Sequence, residues 1–361
     1  MARVYNFSPG PSTLPESVLK RAAKELVEYG VHGQSVMEMS HRSKEYDAIH
    51  EACLALLRET MNIPENYKIL FIQGGASMQF GMIPQNLLSV NGKADYVASG
   101  QFSQKAYEEA LPYGQINLVA TSKSENYSCI PVLDKSKFTP DADYFHICQN
   151  NTIFGTRFTE LPDTGAVPLI SDMSSCILSE PIDVSKFGLI YAGAQKNMAP
   201  AGICVVIIRD DLIARTPRPN TPTMLRYKTY ADSNSMYNTP PTYNIYMLGL
   251  VLEWIRDEIG GLEKMRLRNE AKANMLYECI DSIDLYKGTA KKECRSMMNV
   301  TFKTGNPELD KKFVAEARAA GLYNLAGHRD VGGMRASIYN AMPPQGIEAL
   351  VAFMKDFANR N

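Results

Sequence analysis

Short apolar runs alternate with amphipathic helical patterns from one end of the chain to the other. Leu19, Ala22, Ala23, Leu26 and Val27 recur at helical spacing and predict a first helix. Thr13-Leu-Pro-Glu16 ahead of it reads as a capping box, and Gly30 as its stop. Tyr46, Ile49, Cys53, Leu56 and Leu57 predict a second helix. Lys68–Gln73 reads as a strand closed by Gly74-Gly75-Ala76-Ser77. Further strands are predicted at Tyr96–Gly100, Ile116–Ala120, Tyr144–Cys148, Val167–Ser171, Leu189–Ala192 and Ile203–Ile208. These runs are continuously apolar, as expected when helices cover both faces of a sheet. The pattern predicts an α/β fold with a mostly parallel sheet.

Residues 216–242, rich in Pro, Thr, Asn and Tyr, read as a long connection without periodicity. Long loops of this kind are often functional. A helical region over roughly 243–282 follows, and a domain boundary is expected inside it. Beyond it, a strand at Met298–Phe302, a helix at Asp310–Ala320, a strand at Met334–Ile338 and a helix at Ile347–Phe357 predict a smaller α/β domain.

The 361 residues suffice for two domains at roughly 150 residues each. Lys and Arg total 38 against 39 Asp and Glu, so there is no general field for nucleic acid or an anionic membrane. Any bound anion needs a local cluster of donors. No apolar run approaches the ~20 residues of a membrane span, and the first residues lack a signal peptide's apolar stretch. Seven cysteines without CxxC spacing predict reduced thiols in a cytoplasmic protein and no metal site. The sequons at Asn126, Asn150 and Asn299 are then chance matches.

Three segments could carry chemistry. Gln73-Gly-Gly-Ala-Ser77 lies between a strand and a helix, where small residues and free amides suit a phosphate. By itself it reads first as an ordinary tight turn, because strand–Gly-Gly–helix is common. Leu169-Ile-Ser-Asp172 places a carboxylate at the carboxyl end of a strand, where open α/β sheets bind ligands. An N-cap explains that Asp as well. Ala192-Gly-Ala-Gln-Lys196-Asn-Met-Ala-Pro-Ala-Gly202 brackets a lysine with small and apolar residues. Most lysines are solvated charges, but a desolvated one offers a free amine for imine formation. A phosphate cradle, a carboxylate and a strand-end lysine on one sheet are together what pyridoxal 5′-phosphate requires.

The chain resembles the phosphoserine aminotransferases, a class-V subgroup of the fold type I pyridoxal-phosphate enzymes. The resemblance runs nearly end to end. It begins at Tyr5-Asn-Phe-Ser-Pro-Gly-Pro11 and passes through Ser40-His-Arg-Ser43, Asn151-Thr-Ile153, Ser171-Asp-Met-Ser-Ser175 and Ala192-Gly-Ala-Gln-Lys-Asn197. It ends at Asn238-Thr-Pro-Pro-Thr242 and Gly327-His-Arg-Asp-Val-Gly-Gly-Met-Arg-Ala-Ser-Ile-Tyr-Asn-Ala341, the most specific stretch. It implies a large cofactor-binding domain over residues 16–260 and a small domain made of 1–15 and 261–361. It implies that Lys196 is the Schiff-base lysine and Asp172 the partner of the pyridine nitrogen. Ala76, Ser77 and Gln195 would meet the cofactor phosphate, Thr152 would hydrogen-bond the cofactor, and Phe102 would stack on its ring, where many relatives carry Trp. Asn238 and Thr239 would reach the phosphate of a partner subunit's cofactor, making the active unit a homodimer. Some relatives have Arg where this chain has Ser77, so one cation near the cradle is missing.

Singly, His41, Arg42, His328, Arg329 and Arg335 read as surface charge or helix-end partners. The resemblance implies that Arg335 grips the substrate α-carboxylate, a bidentate match for a guanidinium. His41, Arg42, His328 and Arg329 would surround the distal phosphate or carboxylate, some of them across the dimer interface. The implied reaction is ping-pong transamination between L-glutamate and 3-phosphohydroxypyruvate, giving O-phospho-L-serine and 2-oxoglutarate. The family also aminates 3-hydroxy-2-oxo-4-phosphooxybutanoate in vitamin B6 synthesis. Alternatives are an alanine–glyoxylate aminotransferase or cysteine desulfurase type of fold type I enzyme, and a non-catalytic module that binds a phosphorylated metabolite. A desulfurase needs a cysteine on a mobile active-site loop, and a binding module has no need of Lys196. A nicotinamide-dependent dehydrogenase is disfavoured because no G-x-G-x-x-G fingerprint is present.

Overall fold

The computed structural model describes residues 3–361. Its centre is a seven-stranded sheet of β1 (Tyr67–Gln73), β2 (Lys93–Ala98), β3 (Gln115–Thr121), β4 (Tyr144–Cys148), β5 (Leu169–Asp172), β6 (Leu189–Gly193) and β7 (Ile203–Arg209). The spatial order is β1-β7-β6-β5-β4-β2-β3. β7 runs antiparallel to both of its neighbours, and the other pairings are parallel. The sheet is therefore mixed and mostly parallel.

Alternate residues of each central strand point to opposite faces. On one face Ile69, Phe71, Ile147, Ile190, Val205 and Ile207 pack under α2 (Lys44–Met61) and a later helix, Thr242–Trp254. On the other, Leu70, Ile72, Tyr144, Ile170, Val206 and Ile208 pack under α3 (Ser77–Leu87) and α4 (Gln101–Ala110). Both faces are covered, which is why these strands read as unbroken apolar runs. A second sheet, β8 (Lys287–Gly288), β9 (Asn299–Lys303) and β10 (Met334–Ser337), is antiparallel. It shares a separate core with the helices Leu262–Ser282, Pro307–Ala319 and Pro344–Arg360, centred on Phe302, Phe313 and Phe357. Phe7 joins that core, and Tyr5–Asn6 pairs in parallel with Leu322–Tyr323.

Local readings are corrected where tertiary contacts decide. The first helix, α1, spans Glu16–Lys24 behind Pro15 with no side-chain cap. The Thr13 hydroxyl donates instead to the Asn6 carbonyl, 2.9 Å away, so the capping box does not form. The helix ends at Glu25 rather than Gly30 because Val27 is 81% exposed and has no core to face. The long helical region is two helices parted by a π turn at Ile255–Ile259 and by Gly260-Gly261, both at positive φ. The connection over 216–242 contains a helix, Tyr227–Asp232, held by burial of Tyr227 and Tyr230.

Gly333 opens β10 at φ +62°, and a Cβ there would stand 2.5 Å from the Phe302 carbonyl oxygen. Gly333→Ala is expected to destabilise the fold by more than about 1 kcal/mol, lowering Tm by at least about 2 °C. An unchanged melting curve would contradict this account of the turn.

Candidate active site

The carboxyl ends of β1, β2, β4, β5 and β6 lie along one edge of the sheet, and a cavity of about 390 Å³ opens there. Lys196 lies three residues beyond the end of β6. The segment Pro9–Ser12 crosses over it. The Ser12 amide donates to the Gln195 carbonyl at 3.0 Å, and its hydroxyl donates to the Lys196 carbonyl. Gly10 takes φ +147°, a backbone conformation that residues with a side chain rarely adopt, so glycine suits this crossing.

Lys196 is 9% exposed, and its Nζ donates to Thr152 Oγ1 at 2.8 Å. Burial pulls its amine below the ordinary lysine range, while the charge of Asp172 pulls the other way. The Phe102 ring centroid lies 5.7 Å from Nζ. Asp172 is the last residue of β5, opposite Cys148 on β4 and Tyr191 on β6. Its Oδ1 accepts the Ser174 amide at 2.8 Å. That is a local turn bond, and no helix follows, so the N-cap alternative does not apply. Burial pushes this carboxyl up, opposed by Ser174 and Lys196.

Gly74 takes φ +94°, and the chain enters α3 through Ala76. Met78 and Gln79 donate back to Gly75 and Ala76, whereas the amides of Gly75, Ala76 and Ser77 have no backbone acceptor among the described residues. They are unspent donors at the positive end of an 11-residue helix. On the opposite wall, Arg335 is 7% exposed. One Nη donates to the Thr152 carbonyl at 3.2 Å, Nε is unpartnered, and no carboxylate among the described residues pairs with it. Burial lowers its pKa, yet a guanidinium still stays charged at neutral pH. The cavity thus combines unspent amides, a buried amine, a buried carboxylate and an unpaired guanidinium. That donor set fits a flat phosphorylated group carrying a carbonyl, next to a carboxylate ligand.

Ala76, Ser77, Phe102, Thr152, Asp172, Gln195, Lys196, His328 and Arg335 all line this cavity. His41, Arg42, Arg329, Asn238 and Thr239 do not. Asn238 Oδ1 and the Thr239 carbonyl accept from Gln73 Nε2 at 3.1 and 2.9 Å, outside the cradle. The Arg329 side chain is 88% exposed, and Arg42 is exposed just ahead of α2. His41 is half-buried with an unpartnered Nε2.

Sequence reasoning missed Gln101 and Lys105 on α4, and the cavity floor. The floor is a buried amide network. Asn150 donates to Ser175 Oγ at 2.7 Å and Asn299 Oδ1 at 2.9 Å, and Asn299 donates to Ser337 Oγ and the Tyr339 hydroxyl. It ties the segments that follow β4 and β5 to the small sheet. The only signal for it was a pair of sequons, whose asparagines prove to be buried.

The class-V aminotransferase model matches residues 4–350. The phosphoserine aminotransferase of Lysinibacillus sphaericus is 53% identical over 360 residues, covering 99% of each chain. The chain belongs to the phosphoserine aminotransferase family. Two solved members of that family superimpose over nearly the whole length. The phosphoserine aminotransferase of Bacillus circulans subsp. alkalophilus has TM-score 0.96 at 49% identity, covering 99% of both chains. The PLP-bound enzyme of Trichomonas vaginalis has TM-score 0.94 at 41% identity, covering 98% of this chain and 100% of that one. The fold of this family member is thus the fold type I arrangement expected from the sequence.

Proposed function

We propose that the chain is a pyridoxal-phosphate-dependent transaminase that moves the amino group between L-glutamate and 3-phosphohydroxypyruvate, giving 2-oxoglutarate and O-phospho-L-serine. The observation that carries this reading is the convergence of a buried Lys196 amine, the Asp172 carboxylate and the unpaired Arg335 on one cavity. Bound there, pyridoxal phosphate supplies an aldehyde for the amino group and a ring that accepts electrons.

The residues then have distinct tasks. The amides of Ala76 and Ser77, with Gln195, hold the phosphate. Asp172 would keep a proton on the ring nitrogen, and Phe102 would pack against the ring. Lys196 Nζ is the covalent anchor. The same nitrogen, oriented by Thr152, would serve as the base toward the substrate Cα proton. The lowered pKa of Lys196 leaves it with a free electron pair nearer neutral pH. Arg335 would receive the α-carboxylate and His328 the distal anion, while Arg329 on the same turn stays exposed outside the cavity.

The same reading makes the active unit a homodimer, with His41, Arg42, Asn238 and Thr239 serving the partner subunit's cavity. It is supported by exposed Val27, Val31, Met37 and Tyr237, which are costly to leave in water. The division into residues 16–260 and 1–15 with 261–361, and a cytoplasmic location, belong to the proposal too. The two separate apolar cores support the first, and the cysteine spacing supports the second.

The test compares amino donors. Phosphoserine is expected to exceed serine and alanine in kcat/KM by at least about tenfold, because a pocket that hydrogen-bonds a distal phosphate leaves those polar groups unmatched when the phosphate is absent. Equal efficiencies would remove the phosphate pocket from the reading.

A further inference from the structure

The turn that carries His328 also carries a carboxylate with no task so far. Its backbone is closely held: the Val331 and Gly332 amides both donate to the His328 carbonyl, at 2.9 and 2.8 Å. Val331 packs against the cluster of Tyr127, Ile153 and Phe154, which also meets Phe102. Within this turn Asp330 accepts a 2.9 Å hydrogen bond from Gln101 Nε2, at the start of α4. Its carboxylate lies 3.4 Å from His328 Nδ1 and 3.5 Å from Arg329 Nε. Gln101 and His328 line the candidate cavity, whereas Asp330 lines the adjoining cavity of about 790 Å³. A fixed negative charge therefore stands directly behind the wall assigned to the substrate's distal anion. Its ion-pair partners, His328 and Arg329, sit on the same turn.

We propose that Asp330 is a specificity-determining residue, a built-in anion that opposes the ligand's distal group in proportion to that group's charge. The inference rests on the reading that one cavity serves both a phosphorylated and a dicarboxylic ligand. Coulomb energy scales with the product of the charges, so a dianion is weakened as the square of the factor felt by a monoanion. For a half-exposed carboxylate that factor is about twofold, hence about fourfold for a phosphate. Asp330 brings the two affinities closer together and keeps the phosphorylated ligand from being held too tightly to leave. The Gln101 hydrogen bond stops the carboxylate from swinging into solvent.

The test uses the holoenzyme with Asp330→Asn and Asp330→Lys. Asparagine retains an oxygen for Gln101, so it changes charge more than structure. Sulfate and acetate are titrated first, each followed by the shift in Tm. With asparagine, sulfate is expected to bind about fourfold tighter and acetate about twofold, and lysine should widen the gap further. High salt should shrink both gains. KM values for phosphoserine and glutamate are expected to follow the same order. Equal changes for sulfate and acetate, or a lysine variant no different from wild type, would overturn the proposal. If the ion titrations follow charge but phosphoserine fails as an amino donor, Asp330 keeps its role and the substrate reading falls instead.

Discussion

Lys196→Ala is expected to lower turnover at least about 10⁴-fold while leaving the fold intact. On the proposed reading, alanine removes both the covalent anchor and the proton carrier. The Lys196 side chain makes one hydrogen bond, to Thr152 Oγ1, and burial lowers the pKa of its amine. Removing it strands only a hydroxyl that can turn to water, so Tm should move little. The decisive measurement is borohydride reduction followed by peptide mass analysis. The wild-type peptide containing residue 196 should gain the mass of the reduced cofactor, and the variant should show no labelled peptide. A variant that transaminates at the wild-type rate would end the assignment of Lys196.

Arg335→Met should reduce kcat/KM for glutamate and phosphoserine alike, by about 10²- to 10⁴-fold. Each charge-assisted hydrogen bond to a carboxylate is worth about 1.5–3 kcal/mol, and a guanidinium fork makes two. The equality follows from chemistry: both substrates present the same α-carboxylate, and their distal groups lie elsewhere. Methionine fills similar volume without leaving a buried charge unpaired, so stability is expected to hold or rise. Steady-state kinetics with both donors check this. A loss confined to phosphoserine would move Arg335 to the distal anion.

Much of this was legible before any coordinates. Strands such as Tyr144–Cys148 and Ile203–Arg209 are buried on both faces, so periodicity alone marked them to within a residue. Lys196 and Asp172 were found because each ends an apolar run, and such ends meet at one sheet edge. The misreadings share a cause. Thr13 and Gly30 are good local signals for a helix cap and stop, yet the Thr13 hydroxyl serves Asn6, and the helix ends where its apolar face runs out. Asn150 and Asn299, read as chance sequons, hold the cavity floor because burial compels every amide to find a partner. Gln101 and Asp330 are 229 residues apart, and no spacing rule joins them.

The amino-acid order by itself determined the α/β class, the strand positions and the residue types able to hold a phosphate, an amine and a carboxylate, because these depend on local periodicity and on chemistry carried by single side chains. Only the tertiary structure decided that Arg335 on the small sheet shares a cavity with Lys196, just beyond a strand of the large one, that Asn238 and Thr239 lie outside their own chain's cavity, and that Asp330 meets Gln101. Those placements depend on how two separate cores pack against each other, a property of long-range burial that no window along the chain contains.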